Sequence, residues 1–458
     1  MSTVALAGDW PRFRGPNGSG VAETRNLPAR FGPGQNVIWK TALPPGHSSP
    51  VVTGERVFLT AFEGDKLLTY CLSRANGRVL WRSDASRARA ERLDKRNNPA
   101  SPTPVTDGRN VYVFFPDFGL LSYDGSGVER WRVPLGPFNN LYGMGASPIL
   151  ADGNVVLVCD QTSGSYIAAF GAADGKLLWK TARPEALSGH STPILYRPRE
   201  GEPAQILAPG SFRMDAYSAQ TGESVWWVNG LASEMKSVPS MDADTVYVSG
   251  FNTPENDPGR QIAIPAFDDL LARNDADRNG RISKQEAPDQ RTRSYFSFLD
   301  LDHDGFLDVG EWKLYQAVMG AENGLRAIRL GGRGDTTTAS LRWKYQRSVP
   351  QLPSTLLYRG VLYMLNDSGI LTTLNPKNGI VLKRERLRAA GPYYASPVAA
   401  DGKVVFVSAS GAVTVLHAGG QQEPFAASEL DDECYATPAI ADGRIYIRTR
   451  SALYCFGK

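Results

Sequence analysis

The sequence predicts an all-β protein, an eight-bladed β-propeller of four-stranded blades closed by pairing of its N- and C-terminal strands, with a small α-helical insertion. Three observations predict it: a proline phrase that recurs through the 458 residues, a tryptophan strand that recurs with it, and two acidic loops at 275–286 and 300–311 where the repeat is interrupted.

The phrase is a small residue, then Ser, Thr or Val, then Pro, opening an apolar strand. Its prolines are Pro50, Pro102, Pro148, Pro193, Pro239, Pro353, Pro397 and Pro438, mostly about 41 to 52 residues apart, a spacing typical of four-stranded blades. Only the step from Pro239 to Pro353 is too long, by roughly one and a half repeats. Tight turns follow in "ADGNVVLV", "ADGKVVFV" and "ADGRIYIR", at 151, 400 and 441, with "TDGRNVYV" at 106 as a longer variant. Asp-Gly supplies the positive φ of a two-residue hairpin, and alternating Val, Tyr and Ile suit a pleated, half-buried surface. The repeats then end in "NGRVLWR", "GSGVERWR", "DGKLLWK" and "TGESVWW", carrying Trp81, Trp131, Trp179 and Trp226 as wedges between adjacent sheets.

The last repeat stops at Lys458 without its tryptophan strand, whereas the chain begins with an orphan one, "NVIWKT", at 36–41. Pairing the two would close the ring and remove its exposed edges. The organisation expected is an N-terminal extension packing on the propeller (1–35), a first propeller part (36–261), an insertion in blade five (262–322) and a second propeller part (323–458). Within the extension, Trp10 and Phe13 are expected as apolar anchors, with Arg12 and Arg14 at the surface.

The tryptophan repeats and ring closure resemble the eight-bladed propellers of the PQQ-like repeat superfamily, which includes quinoprotein dehydrogenases and the scaffold lipoprotein of outer-membrane β-barrel assembly. The opening "GDWPRFRGPNGSGV" is similar to the start of secreted bacterial PQQ-binding-like repeat proteins. The resemblance covers 9–260 and about 322–458; it implies the fold more strongly than any activity, because this architecture hosts unrelated functions.

Both acidic loops fit D-x-[DN]-x-[DN]-G-x5-E and resemble the EF-hand family. A hard Ca²⁺ ion takes six to eight oxygens, so side chains at loop positions one, three and five should converge on it. These are Asp275, Asp277 and Asn279 in the first loop and Asp300, Asp302 and Asp304 in the second. Gly280 and Gly305 permit the sharp turn, the carbonyls of Arg281 and Phe306 contribute from the backbone, Ser283 and Asp308 act directly or through water, and Glu286 and Glu311 supply the bidentate carboxylate. Ile282 and Leu307 should pair the loops. Only Ala287 to Leu299 separates them, and Pro288 breaks any long exit helix, so one short shared helix, "DQRTRSYFSFL", is expected. Two structural calcium sites follow, with little room for the opening motion of sensor EF-hands.

Net charge is +3, from 50 basic and 47 acidic residues spread along the chain. Nucleic acid has no electrostatic footprint in such a pattern, and no apolar run approaches the roughly 18 residues of a spanning helix. Ala5-Leu6-Ala7 reads like the end of a secretory signal without the regions that should precede it, either a trimmed export signal or a chance match; the expected location is periplasmic or secreted. Cys71, Cys159, Cys434 and Cys455 form no C-x-x-C pair, which excludes the common zinc and thioredoxin-like motifs. Cys71 and Cys455 read as buried free thiols; disulfides stay open.

Residues just before each innermost strand should meet at the mouth of the ring: His47, Asn97 and Asn98, Tyr142 with Met144, His190, Lys236, Gln351, Tyr393 with Tyr394, and Glu433 with Tyr435. Such a mixture suits a binding funnel. For a quinoprotein dehydrogenase the resemblance implies PQQ in the funnel, a catalytic carboxylate, calcium beside the quinone, a stacking Trp and often a disulfide between adjacent cysteines. No adjacent cysteines occur, and the calcium loops lie in the insertion, so PQQ is not expected. The reading favoured is a monomeric, non-catalytic propeller binding a protein, peptide or glycan on its face. The alternative is a dehydrogenase or polysaccharide lyase working in the funnel.

Overall fold

The computed structural model describes residues 8–199, 201–389 and 391–458. The Ala5-Leu6-Ala7 stretch lies outside the described residues. Eight antiparallel sheets, each built from innermost to outermost strand, follow one another along the chain at 51–86, 105–134, 149–182, 194–229, 240–345, 356–386, 398–429 and 439–456. The eighth is completed by Val37–Ala42, which pairs antiparallel with Ala452–Phe456 and sets Trp39 opposite Cys455. The ring therefore closes as the orphan tryptophan strand predicts.

What holds the blades together is repeated at two radii. Near the axis, in six of the eight blades, a hydroxyl accepts the backbone N–H at the equivalent place in the preceding blade. Ser49, Thr103 and Ser147 donate to Thr103, Ser147 and Thr192, each at 2.9 Å. Val238, Ser354 and Ser396 donate to Ser354, Ser396 and Thr437 at 2.9, 3.0 and 3.0 Å. These N–H groups face the channel, where no further strand could satisfy them. The series corrects the proline phrase at two blades. The equivalent positions are Thr103, followed by Pro104, and Ser354, followed by Thr355, so Pro102 and Pro353 each stand two residues early.

Towards the rim, the indoles of five strand-ending tryptophans dock on the next blade. Trp39, Trp81, Trp131, Trp179 and Trp343 donate to carbonyls of Arg74, Gly125, Ala172, Ala219 and Pro376. Beneath each ring lies a glycine at positive φ, Gly77, Gly127, Gly175, Gly222 or Gly379, where an added Cβ would approach the indole to 2.4–2.8 Å. Only glycine fits both the turn and the ring. Trp226 differs, donating to Gln205 of its own blade. The blade it faces makes a longer excursion at 330–340, which instead adds Gly334–Asp335 as a parallel fifth strand beside Trp226 and Trp227. Blades six and seven lack the tryptophan. There Gln422, buried, reaches back to the carbonyls of Leu371 and Lys383.

Residues 9–27 run across one end of the channel and key into it. Trp10 bridges to Val52 of blade one, the Pro11 carbonyl accepts from Thr106 of blade two, and Asn17 holds Leu195 of blade four. Gly20 and Ala22 bond to Ala399 of blade seven, and the Thr24 hydroxyl accepts from Gly443 of blade eight. Arg12 and Arg14 are not at the surface, as their charge suggested: they are 6% and 0% exposed. Their guanidinium groups donate to the carbonyls of Pro193 and Thr355, at 2.7 and 2.8 Å. The reason is that the inner ends of the strands present unpaired carbonyls to the channel, and a long donor is needed to reach them.

All four cysteines are buried and free. Among the described residues no helix is long and apolar enough to cross a membrane.

Between the second strand of blade five, Thr245–Gly250, and its third, Gly324–Arg329, the chain leaves the sheet to form helices α1 (Phe267–Asn274), α2 (Gln290–Leu299) and α3 (Val309–Gly320). They enclose a separate apolar core of Phe267, Leu270, Ile282, Phe296, Leu307 and Trp312 among others. At its base the Asn256 amide donates to the carbonyls of Val318, Met319 and Ala321, three of the C-terminal carbonyls that a helix end leaves unpaired.

Candidate functional site

The two acidic loops are folded alike. Asp289 caps the N-terminus of α2 and Asp308 that of α3, the latter in a reciprocal box with Glu311. Gly280 and Gly305 sit at φ +79° and +88°, and Arg278 and His303, two residues before each, also take positive φ. Ile282 pairs with Leu307, and Ser283 with Phe306, in a two-stranded antiparallel bridge.

In the first loop the carboxylate oxygens of Asp275, Asp277 and Glu286 lie within 4.8 Å of one another; in the second, those of Asp300, Asp302 and Asp304 do. Asp275 accepts from the N–H of Gly280 at 2.9 Å and Asp300 from that of Gly305 at 3.1 Å, bonds that aim each first carboxylate inward. Asn279 accepts from the Arg281 N–H at 2.8 Å and donates to Asp277. Glu286 accepts from both the amide and the hydroxyl of Ser283, and these bonds hold its carboxyl below the usual range. Glu311, tucked against the N–H groups of Leu301 and Asp308, is raised by burial. Asp308 and Glu311, which the spacing also names, are held in the capping box of α3 and are not among the three carboxylates that converge in the second loop. Hard oxygen donors in this number and order fit Ca²⁺.

The funnel is a cavity of about 220 Å³. Of the residues expected there, His47, Asn97, Tyr142, His190, Lys236, Gln351, Tyr394 and Tyr435 line it. Four others stand elsewhere. Asn98 turns back to accept from Ala100, Met144 and Tyr393 are buried inside the ring, and Glu433 is an exposed partner of Arg450 at 3.7 Å. Among the lining residues not anticipated are Asp94, Arg96 and Phe13, the last brought up from the N-terminal key. The charge pattern of "RLDKRNN" signals the first two, but nothing local signals Phe13.

The imidazole of His47 stacks on Tyr435, centroids 4.5 Å apart, and Tyr394 extends the aromatic wall. Burial, with Arg448 beside His47 and Lys236 beside His190, pushes both imidazoles down to about 4, so they are neutral at physiological pH. The cations of the lining are already paired: Arg96 with Asp94 at 2.7 Å, and Lys236 with Glu234. An aromatic-walled cavity whose charges are paired, with a few polar groups, is suited to binding.

Comparison with known proteins places this geometry. Residues 33–141, 64–266 and 318–458 match the family model described as outer membrane protein assembly factor BamB, and 292–314 match an EF-hand model. Outer membrane protein assembly factor BamB of Bordetella pertussis is 26% identical over 161 residues, 34% of this chain and 36% of that protein. The match thus spans about a third of the curated relative. Among solved structures, BamB from Moraxella catarrhalis has a TM-score of 0.56 at 12% identity, covering 92% of this chain and all of its own. A quinohemoprotein alcohol dehydrogenase from Pseudomonas putida HK5 has 0.58 at 14%, covering 98% of this chain and 80% of that one. A europium-containing methanol dehydrogenase has 0.61 at 9%, covering 99% and 98%. These likenesses show the shared fold. With its blades matched over more than half its length, the chain belongs to the PQQ-like repeat family whose model is described as outer membrane protein assembly factor BamB.

Proposed function

We propose that the protein is a non-catalytic, calcium-binding propeller that presents its insert-bearing face to a protein or peptide partner, in the periplasm or outside the cell. The observation that carries this is the pair of loops, whose carboxylates already converge and whose Ile282–Leu307 bridge joins them back to back. An insert with its own core and its last helix braced by Asn256 has little freedom to open, so calcium acts structurally. Weak affinity, of the kind found in extracellular modules, suits that role. Membership in a family described by an assembly factor supports a protein partner over a glycan.

The dehydrogenases among the structural neighbours raise the quinone alternative. PQQ is a tricarboxylate and needs unpaired cations, whereas Arg96 and Lys236 each hold a carboxylate and both histidines are neutral. The donor set fits that cofactor poorly. Addition of PQQ with calcium, followed by its absorption spectrum, checks this point.

The main test is calorimetric titration of metal-stripped protein with calcium. Two sites are expected, Glu286→Ala removing one and Glu311→Ala the other, with a higher melting temperature on binding. Absence of binding heat and of any thermal shift contradicts the proposal.

A further inference from the structure

A second cavity, of about 270 Å³, lies where the insert meets the propeller, and it shares Tyr142 and Gln351 with the funnel. Its insert wall is apolar, made by Phe298 and Leu299 of α2, Leu301 of the second loop, and Leu314 and Val318 of α3; Leu187 faces them from the propeller. Each cavity alone falls below the roughly 300 Å³ at which small-molecule sites begin, and joined they pass it.

Polar atoms without partners gather here. Thr162, Ser233 and Arg291 line the second cavity and His190 the first, and the Oγ1, Oγ, Nη1 and Nε2 atoms of these residues are buried with no hydrogen-bond partner among the described residues. A buried polar group left unmatched is costly, so these atoms, with the Tyr315 hydroxyl, mark a place where a ligand supplies the missing bonds. The charges cancel locally, Arg291 lying 3.8 Å from Glu255 and Lys236 against Glu234.

We propose that insert and funnel form one calcium-dependent pocket for an uncharged peptide segment bearing a large apolar side chain, an inference that deepens the binding reading above and rests on it. The apolar side chain fills the space under α2 and α3, and the peptide N–H and C=O groups meet the unmatched hydroxyls, imidazole and guanidinium. A sugar would set its hydroxyls against Leu and Val, leaving them unpaired. Calcium enters because α2 is tethered at both ends to a loop: its cap Asp289 follows Glu286 closely, and Leu299 adjoins the ligand Asp300. Ordering the loops therefore fixes the wall of the pocket.

The probes are the blocked peptides Ac-Gly-Gly-Phe-Gly-Gly-NH2 and its Ala counterpart, titrated by NMR onto the full chain in calcium and in EGTA. The Phe peptide is expected to bind about tenfold or more tightly than the Ala peptide, since burying such a side chain contributes about 1.5–3 kcal/mol. Its affinity should drop about fivefold or more in EGTA. Val318→Trp, and Leu187→Trp on the propeller wall, should each remove the preference for Phe while leaving calcium binding intact. Equal binding of both peptides, a preference that survives both tryptophans, or tighter binding of maltohexaose overturns the pocket. Calcium titration of the same sample separates the two readings: calcium bound without peptide selectivity sinks only this inference, and selectivity without calcium binding sinks the calcium role in both.

Discussion

Arg281 of the first loop reaches Asp304 of the second, Nη1 to Oδ2, at 2.6 Å. The cation thus occupies a carboxylate that the spacing assigns to the second calcium site, while its guanidinium also covers the ring of Phe306. Binding a divalent ion at Asp300, Asp302 and Asp304 must compete with this contact.

Arg281→Ala is therefore expected to tighten the second site by about two- to fivefold, because a half-exposed pair contributes at most about 1 kcal/mol. The first site should hardly change. Calorimetry of the variant against the parent chain, with Glu286→Ala in the background to isolate the second loop, measures it. A weakened second site would mean that Arg281 supports the loop and does not block it.

The N-terminal key gives a prediction about stability. Arg14 is wholly buried, faces no carboxylate among the described residues, and donates to Thr355 across the channel. Burial, with Arg12 alongside, pulls its guanidinium down to about 9. Arg14→Ala should destabilise the ring by about 1–3 kcal/mol through the orphaned carbonyl, read from urea unfolding. An unchanged midpoint would show that the key is not needed to hold the blades.

Acid should weaken the funnel through its histidines. His47 and His190 sit at about 4 in the folded protein against 6.5 for an ordinary imidazole. The unfolded chain then binds more protons in between, so the stability they contribute is complete above about 6.5 and is lost as pH falls towards 4. Melting temperature followed over that window should fall less steeply in the double variant His47→Gln, His190→Gln than in the parent. Parallel slopes would remove the histidines from the acid response.

Much of this was legible in the sequence for one physical reason: a propeller repeats its constraints. Trp39 at the wrong end of the chain announced the closure because Trp81, Trp131 and Trp179 end their blades in the same indole on glycine. The EF-hand-like loops were legible because coordination chemistry fixes residue type and spacing together. What escaped has no local signature. Thr103 and Ser354 were hidden by the prolines immediately before them, since the ring of hydroxyl bonds runs between blades and leaves no trace within one. Arg12, Arg14 and Phe13 read as surface and anchor residues because their partners, Pro193, Thr355 and the funnel wall, lie far along the chain. The unmatched Thr162 and Arg291 come from different blades and the insert, and meet only when the insert lands on the ring.

The central claim, that calcium orders an insert which the propeller itself does not need, is tested most directly by hydrogen–deuterium exchange of the whole chain with calcium and with EGTA. The account predicts added protection confined to 262–322 and the residues it covers around Tyr142 and Gln351, with the remaining blades unchanged. Exchange in 262–322 that is identical with and without calcium would contradict it.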